Sequence, residues 1–334
     1  MRDDPSHSPD HRGPTTATDS PSGTSSMSSA AHAAPDVRSD PALPRWVTWA
    51  FVVNLVVEIG IVVTGGLVRL TGSGLGCPTW PQCTPGRYTP VVKEATSYHI
   101  FVEFGNRLLT FVLVAAAAAV VLAILRHLRH RRGFLLPAAA LVLGIVAQAV
   151  IGGISVRVDL HPAWVLSHFL VSALLIALSV YLLVRLNEGD GPAVPLVPDV
   201  VRALAMVTAA VGAVVVVLGT VVTGSGPHSG DAEKPMRLGF AVKDVAWLHA
   251  DAVLLFVGLT VAVWLAARLT STARRPRRAW ELLGALTVVQ GVVGYTQFAL
   301  GVPEALVLVH MLLAALFVAA LTNAVLALRH RHHA

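Results

Sequence analysis

Charge is what this sequence has least of. Asp, Glu, Lys and Arg make up 13% of its 334 residues and hydrophobic residues 54%, where a soluble chain is about one quarter charged. Too few charges remain to cover a water-facing surface, and the apolar residues behind the mean hydropathy of +0.67 fall in long blocks. An ordinary soluble protein is excluded; a polytopic membrane protein is left. Cysteine is scarce too, with only Cys77 and Cys83. Apolar runs are missing from the first 44 residues, which are rich in Pro, Ser, Thr and Asp. Lacking an h-region, that stretch is no signal peptide, and its composition predicts a disordered cytoplasmic tail over 1–44.

Against that background the apolar blocks are informative. About 20 apolar residues cross a bilayer, and the chain supplies spans near 46–68, 98–125, 134–156, 163–185, 202–223, 246–267, 280–300 and 305–328. Eight spans put both termini on one side. The tail, "RHLRHRR", "RLTSTARRPRR", the connection after the fourth span and the C-terminal "RHRHHA" share one face and hold 17 of the 25 Lys and Arg residues. The positive-inside rule makes that face cytoplasmic. The net charge of +6 is therefore a topology signal and a contact for anionic lipid, not a nucleic-acid surface. The terminal histidines read as a solvated tail. Cys77 and Cys83 fall in an external loop, where a lone pair reads as a disulfide. It is either a staple or a redox-active dithiol.

The chain also repeats itself. "QAVIGGISVRVDLHPAWVLSHFLVSA" in spans three and four matches "QGVVGYTQFALGVPEALVLVHMLLAA" in spans seven and eight. Gln148 precedes His168 by twenty positions, and Gln290 precedes His310 by twenty. The expected fold is thus an all-α integral membrane protein of two tandem four-helix bundles, 45–187 and 200–329. An even number of spans per copy relates them by a pseudo-twofold axis along the membrane normal.

His249 and His310 lie near the external side on non-adjacent helices of the second bundle. Two imidazoles facing across a bundle suit axial ligation of haem iron. Zinc wants three or four converging ligands, and no such cluster is present. In the first bundle His168 matches His310, but the position matching His249 is Asn106. His99, Glu103 and Asn106 share one face of the second span, within about 60° at 100° per residue. A charge at bilayer depth costs at least roughly 2.5–3.5 kcal/mol, so a carboxylate there needs a reason. One half looks built to hold a cofactor and the other to do chemistry.

In "GGLVRLTGSGLGCPTWPQC", "VEFGNRLLT", "QAVIGG", "LSHFLVS", "VVTGSGPHSGD", "WLHAD", "QGVVGYTQF" and "LVHMLLA" the chain resembles the haem A synthase family over essentially all of 45–328. The resemblance implies oxidation of the C8 methyl of haem O to a formyl group by successive hydroxylations in a bacterial plasma membrane. It implies a haem b cofactor on His249 and His310, and a first bundle that receives haem O with Glu103 as the essential acid. His168, His99, Asn106 and Arg107 would form the substrate-haem site, and Cys77 and Cys83 inherit a redox role. Haem O synthase and cytochrome oxidase assembly factors are the implied partners, with membrane lipid around the protein; homo-oligomerisation is left open.

Many family members carry histidine where this chain has Asn106. That leaves two readings: His99 reaches in from two turns above, or His168 holds the iron alone. Arg107, at i+4, is expected either to compensate the Glu103 charge or to form a merely structural pair with it. Arg69 and Arg157, at external span ends, are propionate partners or snorkelling anchors. "GSGPHSGD" lacks the Lys-Ser/Thr of a phosphate loop. The competing function is a non-catalytic di-haem b electron carrier between quinone and an external acceptor, which needs no Glu103.

Overall fold

Proline and the apolar blocks together set the helix pattern. Pro44, Pro198 and Pro303 stand immediately before helices and Pro162 opens one, positions where its missing N–H costs nothing. The computed structural model describes residues 43–91, 98–131, 133–231 and 234–332. Apart from Leu43 and Pro44, the expected tail lies outside them. The helices are α1 Arg45–Leu70, α2 His99–Ala123, α3 Leu135–Arg157, α4 Pro162–Leu186, α5 Asp199–Ser225, α6 Val242–Thr270, α7 Arg274–Ala299 and α8 Glu304–Leu326. A π-helical turn, Ile124–Leu128, prolongs α2.

All eight are long and apolar enough to cross a membrane. Large apolar side chains such as Phe111, Leu136 and Leu269 face outward, which only lipid would tolerate on this scale. The fold is therefore an all-α, eight-span membrane protein. Several helices outrun the apolar stretches that announce them. α7 begins at Arg274, because Arg is a good helix former and Pro276 sits in the first turn where it is tolerated.

Buried apolar residues of α1–α4 form one cluster around Phe51, Leu141 and Leu182. Those of α5–α8 form another around Phe256, Trp280 and Leu283. Val62, Ile176 and Ala315 join α1, α4 and α8 between them. There Gly66 lets α8 approach: a methyl group on it would stand 2.8 Å from Met311 Sδ. The two matching hairpins turn alike. Asp159 and Leu160 between α3 and α4, and Gly301 and Val302 between α7 and α8, all take positive φ.

At the basic end Arg329–Arg331 are not part of a free tail. A strand β2, Arg329–Arg331, pairs antiparallel with β1, Ala193–Pro195, and Arg331 Nη1 donates to the Gly191 carbonyl at 3.0 Å. Beside this ribbon the Phe134 ring receives the guanidinium of Arg131 at 5.1 Å and of Arg185 at 5.8 Å. Buried Arg185 pairs with buried Glu188 and with Asp190, both at 3.3 Å. Arginines that signal topology in the sequence thus also fasten helix ends together, and burial makes such pairs costly to break.

Candidate functional site

The site grows from three histidines, each set against a glycine of a neighbouring helix. A methyl group at Gly152 would lie 3.2 Å from His168 Cε1, at Gly219 3.2 Å from His249 Cε1, and at Gly294 3.1 Å from His310 Cε1. Nδ1 of His168, of His249 and of His310 is buried without a hydrogen-bond partner among the described residues. Glutamine fixes the backbone behind two of the rings. Gln148 Nε2 donates to the His168 carbonyl at 3.0 Å, and Gln290 Nε2 to that of His310 at 3.1 Å. Leaving a buried polar atom unpaired is costly, so these rings are placed for something that enters beside them.

All three line one cavity of about 940 Å³ that runs through both halves of the molecule. That is large for a small-molecule site. On the α5–α8 side His249 and His310 lie within electrostatic reach of one another, and no carboxylate lines that part of the wall among the described residues. On the α1–α4 side the wall carries Glu103, Asn106 and Arg107 as well as His168. Asn106 is committed to packing, since its Oδ1 accepts from Thr64 Oγ1 at 2.7 Å. His99 is not part of the cavity wall. Its Nδ1 meets Ser73 Oγ at 2.8 Å and its ring lies 4.2 Å from that of Tyr98.

Glu103 and Arg107 form the expected i,i+4 pair, at 2.5 Å, and the pair reaches further than sequence spacing shows. Arg107 donates to the carbonyls of Cys77 at 2.8 Å, Thr79 at 2.9 Å and Gln82 at 3.2 Å. The Cys77 N–H returns a bond to Glu103 Oε2 at 2.5 Å. Cys77 and Cys83 are disulfide-bonded, so the stapled loop sits directly on the carboxylate–guanidinium pair. Trp80 of that loop lies on Gly153 of α3, where a methyl group would come within 2.4 Å of its ring. Arg157 Nη2 donates to the Trp80 carbonyl at 3.0 Å. Arg157 therefore anchors the loop and is not in the cavity wall. Arg69 is in the wall, with Nη2 on the Thr223 carbonyl of α5 at 2.6 Å and Nε buried without a partner among the described residues.

Sequence reasoning passed over Glu58, which is 1% exposed in the middle of α1 and lines the same cavity. The cue was there, a lone carboxyl inside an apolar run. It has no counterpart in the repeat to draw attention to it.

Residues 47–322 match the family described as cytochrome oxidase assembly protein, COX15-CtaA. The chain belongs to this family. Among characterised relatives of this cytochrome oxidase assembly family member, the heme A synthase of Geobacillus kaustophilus is 33% identical over 133 residues, 40% of each chain. That of Geobacillus thermodenitrificans is 33% identical over 134 residues, 40% of this chain and 41% of its own. That of Alkalihalophilus pseudofirmus is 28% identical over 153 residues, 45% and 50% respectively. The matched stretches thus span half or less of each of these relatives.

Proposed function

We infer that the protein is a haem A synthase: a membrane oxidoreductase that converts the C8 methyl of haem O to a formyl group by successive hydroxylations. It would do so in a bacterial plasma membrane, with both termini cytoplasmic by the positive-inside rule. Haem O synthase would supply the substrate, and cytochrome oxidase assembly factors would receive the product. Family membership and the names of the relatives support this reading. The observation that carries it is Glu103, a carboxylate on the wall of the same cavity as His168 and held by Arg107 and the Cys77 N–H.

The two halves divide the work. His249 and His310 would hold a haem b, for which the glycine-backed rings and the carboxylate-free wall are a fit. A haem bound there supplies one-electron exchange. His168 would take the iron of haem O alone, because Asn106 is already bonded to Thr64. His99 is not in the cavity wall and holds Ser73 through Nδ1; it serves instead to seat the external loop. Arg69 offers its free Nε to a propionate.

Glu103 is pre-aligned, and preorganised charge near a reacting centre is the largest single source of rate enhancement in many enzymes. Its carboxylate would take up a proton beside the substrate, a general-base role worth about 10²–10⁴ in rate. Arg107 keeps it from swinging away, and the stapled loop closes the external end against water.

The test is production of haem A in a host that makes haem O but not haem A. Wild-type protein should yield haem A on extraction and chromatography, and Glu103→Ala none, with bound haem b unchanged. Haem A from the Glu103→Ala protein would mean that Glu103 is not catalytic; a wild-type protein that binds haem and makes no haem A would point to an electron carrier.

A further inference from the structure

Glu58 lies thirteen residues from one end of α1 and twelve from the other. Its Oε1 is buried with no hydrogen-bond partner among the described residues, and none of their ion pairs involves it. A leucine would fill that volume without the cost of an unpaired polar group, so packing does not account for it. Asn54, one turn nearer the basic end, already gives its amide N–H to Ser179 Oγ at 2.9 Å and is not in the cavity wall. Glu58 is in the wall.

Its setting says what it could meet. At 1.5 Å per residue Glu58 is roughly 18 Å from the external end of α1, and His168 roughly 9 Å from that of α4. Glu58 is thus the deeper group. The wall of this half is mostly apolar, with Ile61, Val62, Leu113, Ile145 and Phe169, and also carries Thr110, Gln148 and Ser172. The wall also includes Phe111, which is 71% exposed on the outer side of α2, so the cavity reaches the lipid-facing surface. A pocket that is mostly apolar, open toward lipid and furnished with one unpaired carboxyl suits a long isoprenoid chain bearing one hydroxyl.

We propose that Glu58 accepts a hydrogen bond from the hydroxyl of the substrate's hydroxyethylfarnesyl group, and so selects haem O over haem B. This rests on the haem O reading above. The two haems share iron, propionates and macrocycle; haem B has a vinyl group where haem O carries the hydroxyethylfarnesyl chain. Apolar contacts discriminate weakly, whereas a buried acceptor rejects an analogue without the hydroxyl because it is left unpaired. Both carboxylates of the cavity wall come from the α1–α4 half. Glu103 is already taken by Arg107 and Cys77, and Glu58 is the spare acceptor. The half assigned to haem b, which has no such hydroxyl, has no such carboxyl.

The experiment is a Soret titration of detergent-solubilised protein, carrying its resident haem, with haem O and separately with haem B. Wild-type protein should prefer haem O. Glu58→Leu should shrink the ratio of the two Kd values at least tenfold, while Glu58→Gln, which keeps an acceptor, retains most of it. Comparing variants across both ligands cancels the contribution of the chain itself. Resident haem content reports folding, and Glu58→Met gives the same reading should the leucine variant fail to accumulate. A ratio in the leucine or methionine variant within twofold of wild type overturns the proposal while the haem O reading stands. So does loss of turnover with the preference intact, which would assign Glu58 to proton movement. Failure of wild-type protein to bind haem O overturns both.

Discussion

The α3–α4 and α7–α8 hairpins are built alike, but the helices facing them are not. Each hairpin has a glutamine on the histidine carbonyl, a glycine behind the imidazole and a two-residue left-handed turn at its tip. Opposite His310 stands another imidazole, His249. The α2 helix beside His168 brings an asparagine tied to Thr64 and a carboxylate tied to a guanidinium and a loop. On the function proposed above, the repeated cradle serves two purposes, and divergence on one helix sets them apart. A second imidazole would saturate the iron of a haem at His168; its absence would leave a face of that haem open.

The largest effect that would break this comparison is loss of the haem proposed for the α5–α8 half. His249→Ala and His310→Ala should each strip most haem from the purified protein, read as the Soret-to-protein absorbance ratio. His168→Ala should leave that ratio close to wild type. If all three strip it equally, the halves do not divide the work. Next in size is Arg107→Leu, which unpairs Glu103 and three loop carbonyls at once. Haem A formation should fall by about 10²-fold or more with resident haem retained. A comparable loss of resident haem would show that the loop supports both halves.

The eight spans were legible because lipid leaves only apolar residues to cover a helix, and the glutamine–histidine register of the two hairpins was legible because the repeat displays it twice. Contacts through backbone carbonyls were not. Arg107 on Cys77, Thr79 and Gln82, and Arg69 on Thr223, bind atoms that every residue has, so no residue pattern announces them. The β1–β2 pairing was hidden for a related reason: "RHR" has neither the alternation nor the β-branched residues of a strand, and its partner holds it through main-chain bonds. The i,i+4 spacing of Glu103 and Arg107 was readable, but not that the disulfide loop rests on them. His99 shares a helical face with Glu103, yet sharing a face did not place it in the cavity. It lies at the first position of α2, where the helix end meets the loop.

A gentler way to sharpen the comparison is to restore the missing imidazole. Asn106→His gives up the Thr64 bond and sets a ring opposite His168. Haem carried through purification should rise, and turnover should drop about tenfold, equivalent to roughly 1.4 kcal/mol of barrier, as the open face of the substrate closes. Unchanged turnover would mean that this position does not govern access. The Cys77→Ser, Cys83→Ser double variant should lose about 2 kcal/mol of stability, the chain-entropy figure for so short a loop, measured by thermal denaturation. Activity should fall with it while resident haem stays.

The smallest predicted difference lies between the two glutamines, and it isolates one place where the hairpins differ. Gln290 Nε2 has the His310 carbonyl at 3.1 Å, whereas Gln148 Nε2 also reaches Ser172 Oγ at 2.5 Å, and Ser172 in turn donates to the His168 carbonyl at 3.2 Å. Each variant to leucine removes a hydrogen bond with a net value of about 1 kcal/mol. In both, the loss is partly offset because the buried Oε1, unpartnered in the native protein, goes as well. Gln290→Leu should therefore weaken retention of the resident haem about two- to threefold. Gln148→Leu breaks a linked pair of bonds and should raise the Kd for haem O about fivefold, or about 1 kcal/mol. Titrating each variant with haem O, and measuring haem loss from each, separates the two. Equal effects would show that Ser172 adds nothing, and that the hairpins position their histidines in the same way despite what faces them.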